Sequence, residues 1–138
     1  MPVGGDRRVN EGVEEFYQRI GAEAVAMTPD GVEDLLVYAE VEDGSTDCGL
    51  FYRDSAGRVI YKECNSEFFD LIYSFWEYWQ DSAGLPAFST MTYSISSGEF
   101  NIDLKYPDQI IESEGIDIRR ERALHQHFGN MAIDYSNP

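Results

Sequence analysis

Residues 35–63 read LLVYAEVEDGSTDCGLFYRDSAGRVIYKE, and their reading decides the fold. Three short runs rich in Leu, Val, Tyr, Ile and Phe (35–42, 48–54 and 58–63) are broken at 43–47 (DGSTD) and at 54–57 (DSAG). β-Branched and aromatic residues between clusters of turn residues favour strands. Connections this short join antiparallel neighbours, so the three runs form a meander. Along the first strand Val37, Ala39 and Val41 share one face, and Tyr38, Glu40 and Glu42 share the other. The apolar half asks for a core. The other half sets two carboxylates in a row, with Asp43 and Asp47 just beyond, and asks for water, an ion or a partner.

Working upstream, residues 11–27 place Val13, Phe16, Tyr17, Ile20, Ala24 and Met27 at helical spacing. Asn10 is the expected N-cap, with Glu11, Glu14 and Glu15 near the positive end of the helix dipole. Pro29, Asp30 and Gly31 stop the helix, and residues 1–10 read as a polar, flexible tail. Downstream, NSEFFDLIYSFWEYWQDSAG (65–84) is a second helix capped by Asn65 or Ser66 and ended by Gly84 and Pro86. Phe68, Ile72, Phe75 and Trp79 form its apolar stripe. Phe69, Tyr73 and Trp76 flank that stripe, where they either widen the core contact or anchor a partner. Residues 88–95 and 99–106 alternate as strands joined at SSGE, a hairpin signal with Gly98. Phe100, Ile102 and Leu104 share one face of the last strand, and Asn101, Asp103 and Lys105 the other. Residues 117–128 are a closing helix ended by Gly129, followed by a tail at 131–138. The order α-β-β-β-α-β-β-α, without a repeat or a long linker, predicts one α+β domain over 11–130. Its antiparallel sheet carries helices mainly on one face. That face holds Val37, Ala39, Val41, Met91, Tyr93 and Ile95 beside the apolar side of the last strand.

The chain carries 26 acidic and 10 basic residues over 138 positions, a formal net charge of −16. Between Glu63 and Asp117 there are 11 acids and one base, Lys105. A phosphate backbone or an anionic membrane surface is repelled by such a chain, so neither nucleic acid nor membrane is an expected partner. A cationic partner is one candidate for what this charge serves. Salt adaptation offers another origin, because the chain has two lysines against eight arginines. No run of about 18 apolar residues is present. The start, MPVGGDRRVN, lacks the apolar stretch of a secretory signal, so a cytoplasmic protein is expected. Cys48 and Cys64 form neither CxxC nor a paired ladder and are expected to stay reduced.

The chemistry-bearing residues form no recognisable catalytic motif. His125 and His127 are spaced i,i+2, which turns them about 200° apart on a helix and unsuits them to one metal. Neither thiol has zinc-finger spacing. GxSxG, a phosphate loop and GxGxxG are absent, and EDGSTD (42–47) does not fit a calcium loop. Paired carboxylates could serve a hydrolase, but such a dyad needs a concave pocket, for which a small sheet offers little room. The expectation is no enzyme, no metal and no cofactor.

Taken in order, these segments resemble a known family. FYQRIG (16–21), LLVYAEVEDG (35–44), LFYRD (50–54), the aromatic helix, FSTMTYSISSGEFNIDLKYPD (88–108) and RRERALHQHFG (119–129) look like the YezG-like antitoxin/immunity family of bacterial polymorphic-toxin systems. The resemblance covers about residues 14–130. The chain departs from the pattern at Phe88, where the family commonly has tryptophan. It departs again at Pro107–Asp108, where a second acid commonly follows the tyrosine directly.

The resemblance implies a non-enzymatic immunity protein, a monomer or weak dimer, that binds and neutralises a cognate toxin, often a nuclease. An acidic surface suits the cationic cleft of such a toxin, so Tyr38, Glu40, Glu42, Asp43, Asp47 and Asp103 are the expected docking residues. Glu40 has a second reading. If the closing helix covers its face, Glu40 becomes a structural partner of Arg119, Arg120 or Arg122. Two other function classes stand beside the immunity protein: an acidic adaptor domain of a salt-adapted organism, and a carboxylate-dependent hydrolase.

Overall fold

The computed structural model describes residues 3–111 and 113–136, with side chains from residue 11 onward. Three helices, α1 (Val3–Ala26), α2 (Ser66–Asp81) and α3 (Ile116–Phe128), surround a sheet of six strands. The strands are β1 (Asp34–Glu42), β2 (Ser45–Arg53), β3 (Val59–Lys62), β4 (Thr90–Ser96), β5 (Glu99–Lys105) and β6 (Ile133–Asp134). Across the sheet their order is β5-β4-β1-β2-β3-β6. The meander and the second hairpin are antiparallel, as the short connections require. The sheet as a whole is mixed, because β6 joins β3 in parallel. This strand lies in the stretch expected as a tail. It is two residues long, too short for a periodicity to register in sequence.

One face of the sheet carries the larger core. Leu35, Val37, Ala39 and Val41 of β1 meet Leu50 and Tyr52 of β2 and Met91 and Tyr93 of β4, all buried beneath α1 and α2. Helix α2 begins where Asn65 accepts the backbone N–H of Phe68 at 2.8 Å, so the expected cap is in place. Phe75, wholly buried, touches the rings of Phe16, Tyr17, Trp79 and Phe88 at centroid distances of 5.5–5.8 Å. The flank of this helix turns inward too, since Trp76 is buried and donates its indole N–H to the Phe88 carbonyl at 2.9 Å. Helix α1 starts at Val3, which leaves Asn10 inside the helix rather than at its cap. It lies close on the sheet at Gly21, where a Cβ would stand 2.4 Å from the Tyr93 hydroxyl. That closeness lets the hydroxyl donate to the Tyr17 carbonyl at 2.9 Å.

The other face is covered by α3. Leu124 and Phe128 pack on Leu36, Tyr38, Phe51 and Val59 in a second, smaller core. Polar ties hold the helix at both ends of β1. Arg119 binds Glu40 near the far end of the strand, and His127 meets Asp34 at its start. Helix α3 therefore runs antiparallel to β1 and returns the chain to β3, where Ile133 pairs with Val59.

The fold also brings the two cysteines together. Leu50 pairs with Lys62, so the same register continued by two residues sets Cys48 opposite Cys64. Both are free, buried thiols. A hydrogen bond with Cys64, reinforced by burial, pushes the Cys48 thiol far above the ordinary range.

Candidate functional site

The β1–β2 hairpin turns on Asp43 and Gly44, with Gly44 at φ +80°, the left-handed conformation an Asp-Gly turn supplies. Register places Glu40 opposite Asp47 and Glu42 opposite Ser45, on the α3 side of the sheet. Between this hairpin, the second half of α2 and the start of α3 lies a groove of about 940 Å³. That is more room than a sheet of this size suggests.

Among the described residues six carboxylates line the groove: Glu40, Glu42, Asp43 and Asp47 from the hairpin, and Glu77 and Asp81 from α2. Among the same described residues one base lines it, Arg119. Glu42, Asp43, Asp47, Glu77 and Asp81 are exposed, whereas the lining residues Trp76 and Phe88 are buried. The groove thus sets acidic walls over a floor that includes the buried Trp76 and Phe88. Tyr73 fixes its geometry. The tyrosine hydroxyl accepts the Gly44 N–H at 3.0 Å and lies 3.5 Å from Asp43 Oδ1, tying the hairpin tip to α2.

The single base is already engaged. Arg119 donates through Nε and a terminal nitrogen to the two oxygens of Glu40, at 2.7 and 2.8 Å. Its other terminal nitrogen donates to the carbonyls of Glu114 (2.6 Å) and Ile111 (3.3 Å), which holds the segment before α3 against the sheet. Tyr38 completes the cluster, donating its hydroxyl to Glu40 at 2.6 Å. Burial works against ionisation of Glu40, but the hydrogen bonds from Arg119 and Tyr38 outweigh it and hold the carboxyl below its ordinary range. Burial likewise drives the Tyr38 phenol up, as does its bond to Glu40. The bond to Glu40 raises Arg119 further, so the pair stays charged.

The structure therefore divides the expected docking residues. Glu40, Glu42, Asp43 and Asp47 come together in the groove. Glu40 is nonetheless bound to Arg119, as its structural reading required. Tyr38 is 4% exposed beneath α3 and does not offer a contact surface, because Leu124 and Phe128 occupy its face of the sheet. Asp103 lies in a neighbouring depression between α3 and β4–β5, 3.4 Å from Lys105. Sequence reasoning missed Glu77 and Asp81. Their signal was the i, i+4, i+8 spacing of Tyr73, Glu77 and Asp81, which aligns them on one side of α2.

Among the described residues no three His, Cys, Asp or Glu side chains are grouped as a metal ion requires. The two histidines diverge as their spacing dictates, His125 towards Glu121 and His127 to Asp34. Among the described residues no helix is long and apolar enough to cross a membrane. No protein-family model matches the chain, and no curated protein matches it.

Proposed function

We propose that this chain is a non-enzymatic, cytoplasmic immunity protein that binds a cationic toxin domain in the groove beside the β1–β2 hairpin. The observation that supports this reading most is the imbalance of charge in that groove. Five exposed carboxylates face outward there, and the one guanidinium is tied to the sixth. Acidic walls fit Arg and Lys side chains, whose charged heads pair with carboxylates while their aliphatic stems lie along neighbouring apolar surface. A toxin that acts on nucleic acid presents such side chains in its own cleft, because it must hold phosphate. Glu42, Asp43, Asp47, Glu77 and Asp81 are assigned the contacts, and Glu40 with Arg119 the support of the wall.

The test is co-expression with the toxin domain encoded beside this gene, followed by purification through a tag on the toxin. A stoichiometric complex that survives EDTA and lacks toxin activity is the expected result. Absence of a complex, or a complex that leaves the toxin fully active, overturns the proposal.

A further inference from the structure

Strand β5 ends the sheet, with β4 as its strand neighbour and an open edge beyond. Its connection to β4 is a two-residue turn, Ser97–Gly98, with φ of 52° and 83°. In such a hairpin the residues flanking the turn, here Ser96 and Glu99, exchange both backbone bonds, and every second pair does so thereafter. Glu99, Asn101, Asp103 and Lys105 consequently aim their backbone groups at β4. The bond from the Ser89 N–H to the Lys105 carbonyl, 2.7 Å, agrees with that phase. Phe100, Ile102 and Leu104 aim theirs away from the sheet, and among the described residues nothing bonds to them. Phe100 is 45% exposed although it stacks on Tyr93.

An open edge templates another strand, and this sequence selects which one. Consider a second β5 laid antiparallel against the first. Outward-aimed residues have to pair with outward-aimed residues, which restricts the extensive registers to those centred on Asn101, Ile102 or Asp103. Centring on Asn101 sets Glu99 against Asp103. Centring on Asp103 sets that residue against its own copy. Centring on Ile102 sets Glu99 against Lys105, Asn101 against Asp103, Phe100 against Leu104 and Ile102 against itself. This third register overlaps the whole strand and pairs every residue with a compatible one. Lys105, the one base between Glu63 and Asp117, stands where it meets Glu99.

We propose that two copies of this chain associate edge to edge through β5, across a two-fold axis at Ile102, into one continuous sheet. The contact is isologous, so each pairing off the axis occurs twice. The net charge of −16 on each copy opposes association, which makes the dimer a weak one that forms as concentration rises. No residue of β5 lines the acidic groove, so this inference stands or falls independently of the proposed toxin binding.

The experiment is sedimentation equilibrium at fixed ionic strength up to several hundred micromolar, on the wild type, E99K, K105E and the double variant E99K/K105E. Each single change puts like charges opposite each other at both ends of the contact. Two symmetry-related cross-strand pairs turn from attractive to repulsive at once, so a dissociation constant raised about ten-fold is expected. The double variant restores opposite charges and should return the constant to near the wild-type value. Amide exchange adds a readout that needs no substitution, because protection at Phe100, Ile102 and Leu104 should grow with protein concentration. A wild type that stays monomeric throughout overturns the proposal. So does a dimer indifferent to the single changes, or one not rescued by the double.

Discussion

Glu40 shows how one carboxylate changes meaning with its surroundings. On an open sheet face it would be a docking residue, yet beneath α3 it receives the Arg119 fork and the Tyr38 hydroxyl. The pair is about 15% exposed on each side, so its loss should fall between that of a surface pair and that of a fully buried one. Arg119→Ala should therefore cost about 1–3 kcal/mol in urea unfolding at pH 7. Arg119→Lys should recover only part of that, since a lysine cannot span both oxygens. The pH dependence has a definite sign. A carboxyl held below its ordinary value of 4.5 stabilises the fold fully above that pH, and the contribution fades as pH falls through the depressed folded value. The stability difference between wild type and Glu40→Gln should hence stay constant from pH 7 to about 5 and shrink in more acid solution. A difference that persists undiminished at pH 2 would remove Glu40 from this role. Cys48 and Cys64 yield a second expectation. Both are buried, and Cys48 is held protonated as well, so they should resist iodoacetamide in the folded state at pH 8 and react promptly in denaturant.

At the scale of elements, α2 buries Phe68, Leu71, Ile72, Phe75 and Trp76 in the larger core. Phe75 has no exposed surface and touches rings from α1, α2 and the loop before β4, so Phe75→Ala should cost about 3–5 kcal/mol. A loss below about 1 kcal/mol would mean that the helix buries another side. This helix and the strands were legible because their periods are clear over many residues: Phe68, Ile72 and Phe75 at helical spacing, Val37, Ala39 and Val41 alternating. The docking side of α3 was not legible. Its buried apolar side chains are Leu124 and Phe128, and which sheet face receives them is decided by the ties of Arg119 and His127 to β1. The facing of the two thiols was hidden for a related reason. It depends on the β2–β3 register rather than on spacing within any one element. The groove was half legible. The hairpin acids stood out in sequence, while Glu77 and Asp81 gained their place from the packing of α2 beside the hairpin.

For the whole molecule the question is what a net charge of −16 does during encounter with a cationic partner. Charges spread evenly over a surface attract such a partner without orienting it. Here six carboxylates converge on one groove, and Arg119, the base among them, is committed to Glu40. That concentration should steer the partner towards the groove and raise its association rate, an effect screened beyond about 8–10 Å at 0.1–0.15 M salt. The measurement is stopped-flow association with the toxin domain between 20 and 500 mM salt. The wild-type on-rate should fall at least ten-fold over that range, with the off-rate changing much less. Reversing Glu42, Asp43, Asp47, Glu77 and Asp81 to lysine together should abolish most of the salt dependence and weaken affinity by several orders of magnitude. The unfolding midpoint should move little, since all five side chains are exposed. Five acidic positions outside the groove, Glu11, Glu14, Glu15, Glu23 and Asp30, provide a control of equal charge change. If that control slows association as much as the groove variant does, net charge alone drives the encounter. If neither variant alters affinity, the acidity of the groove has no part in binding.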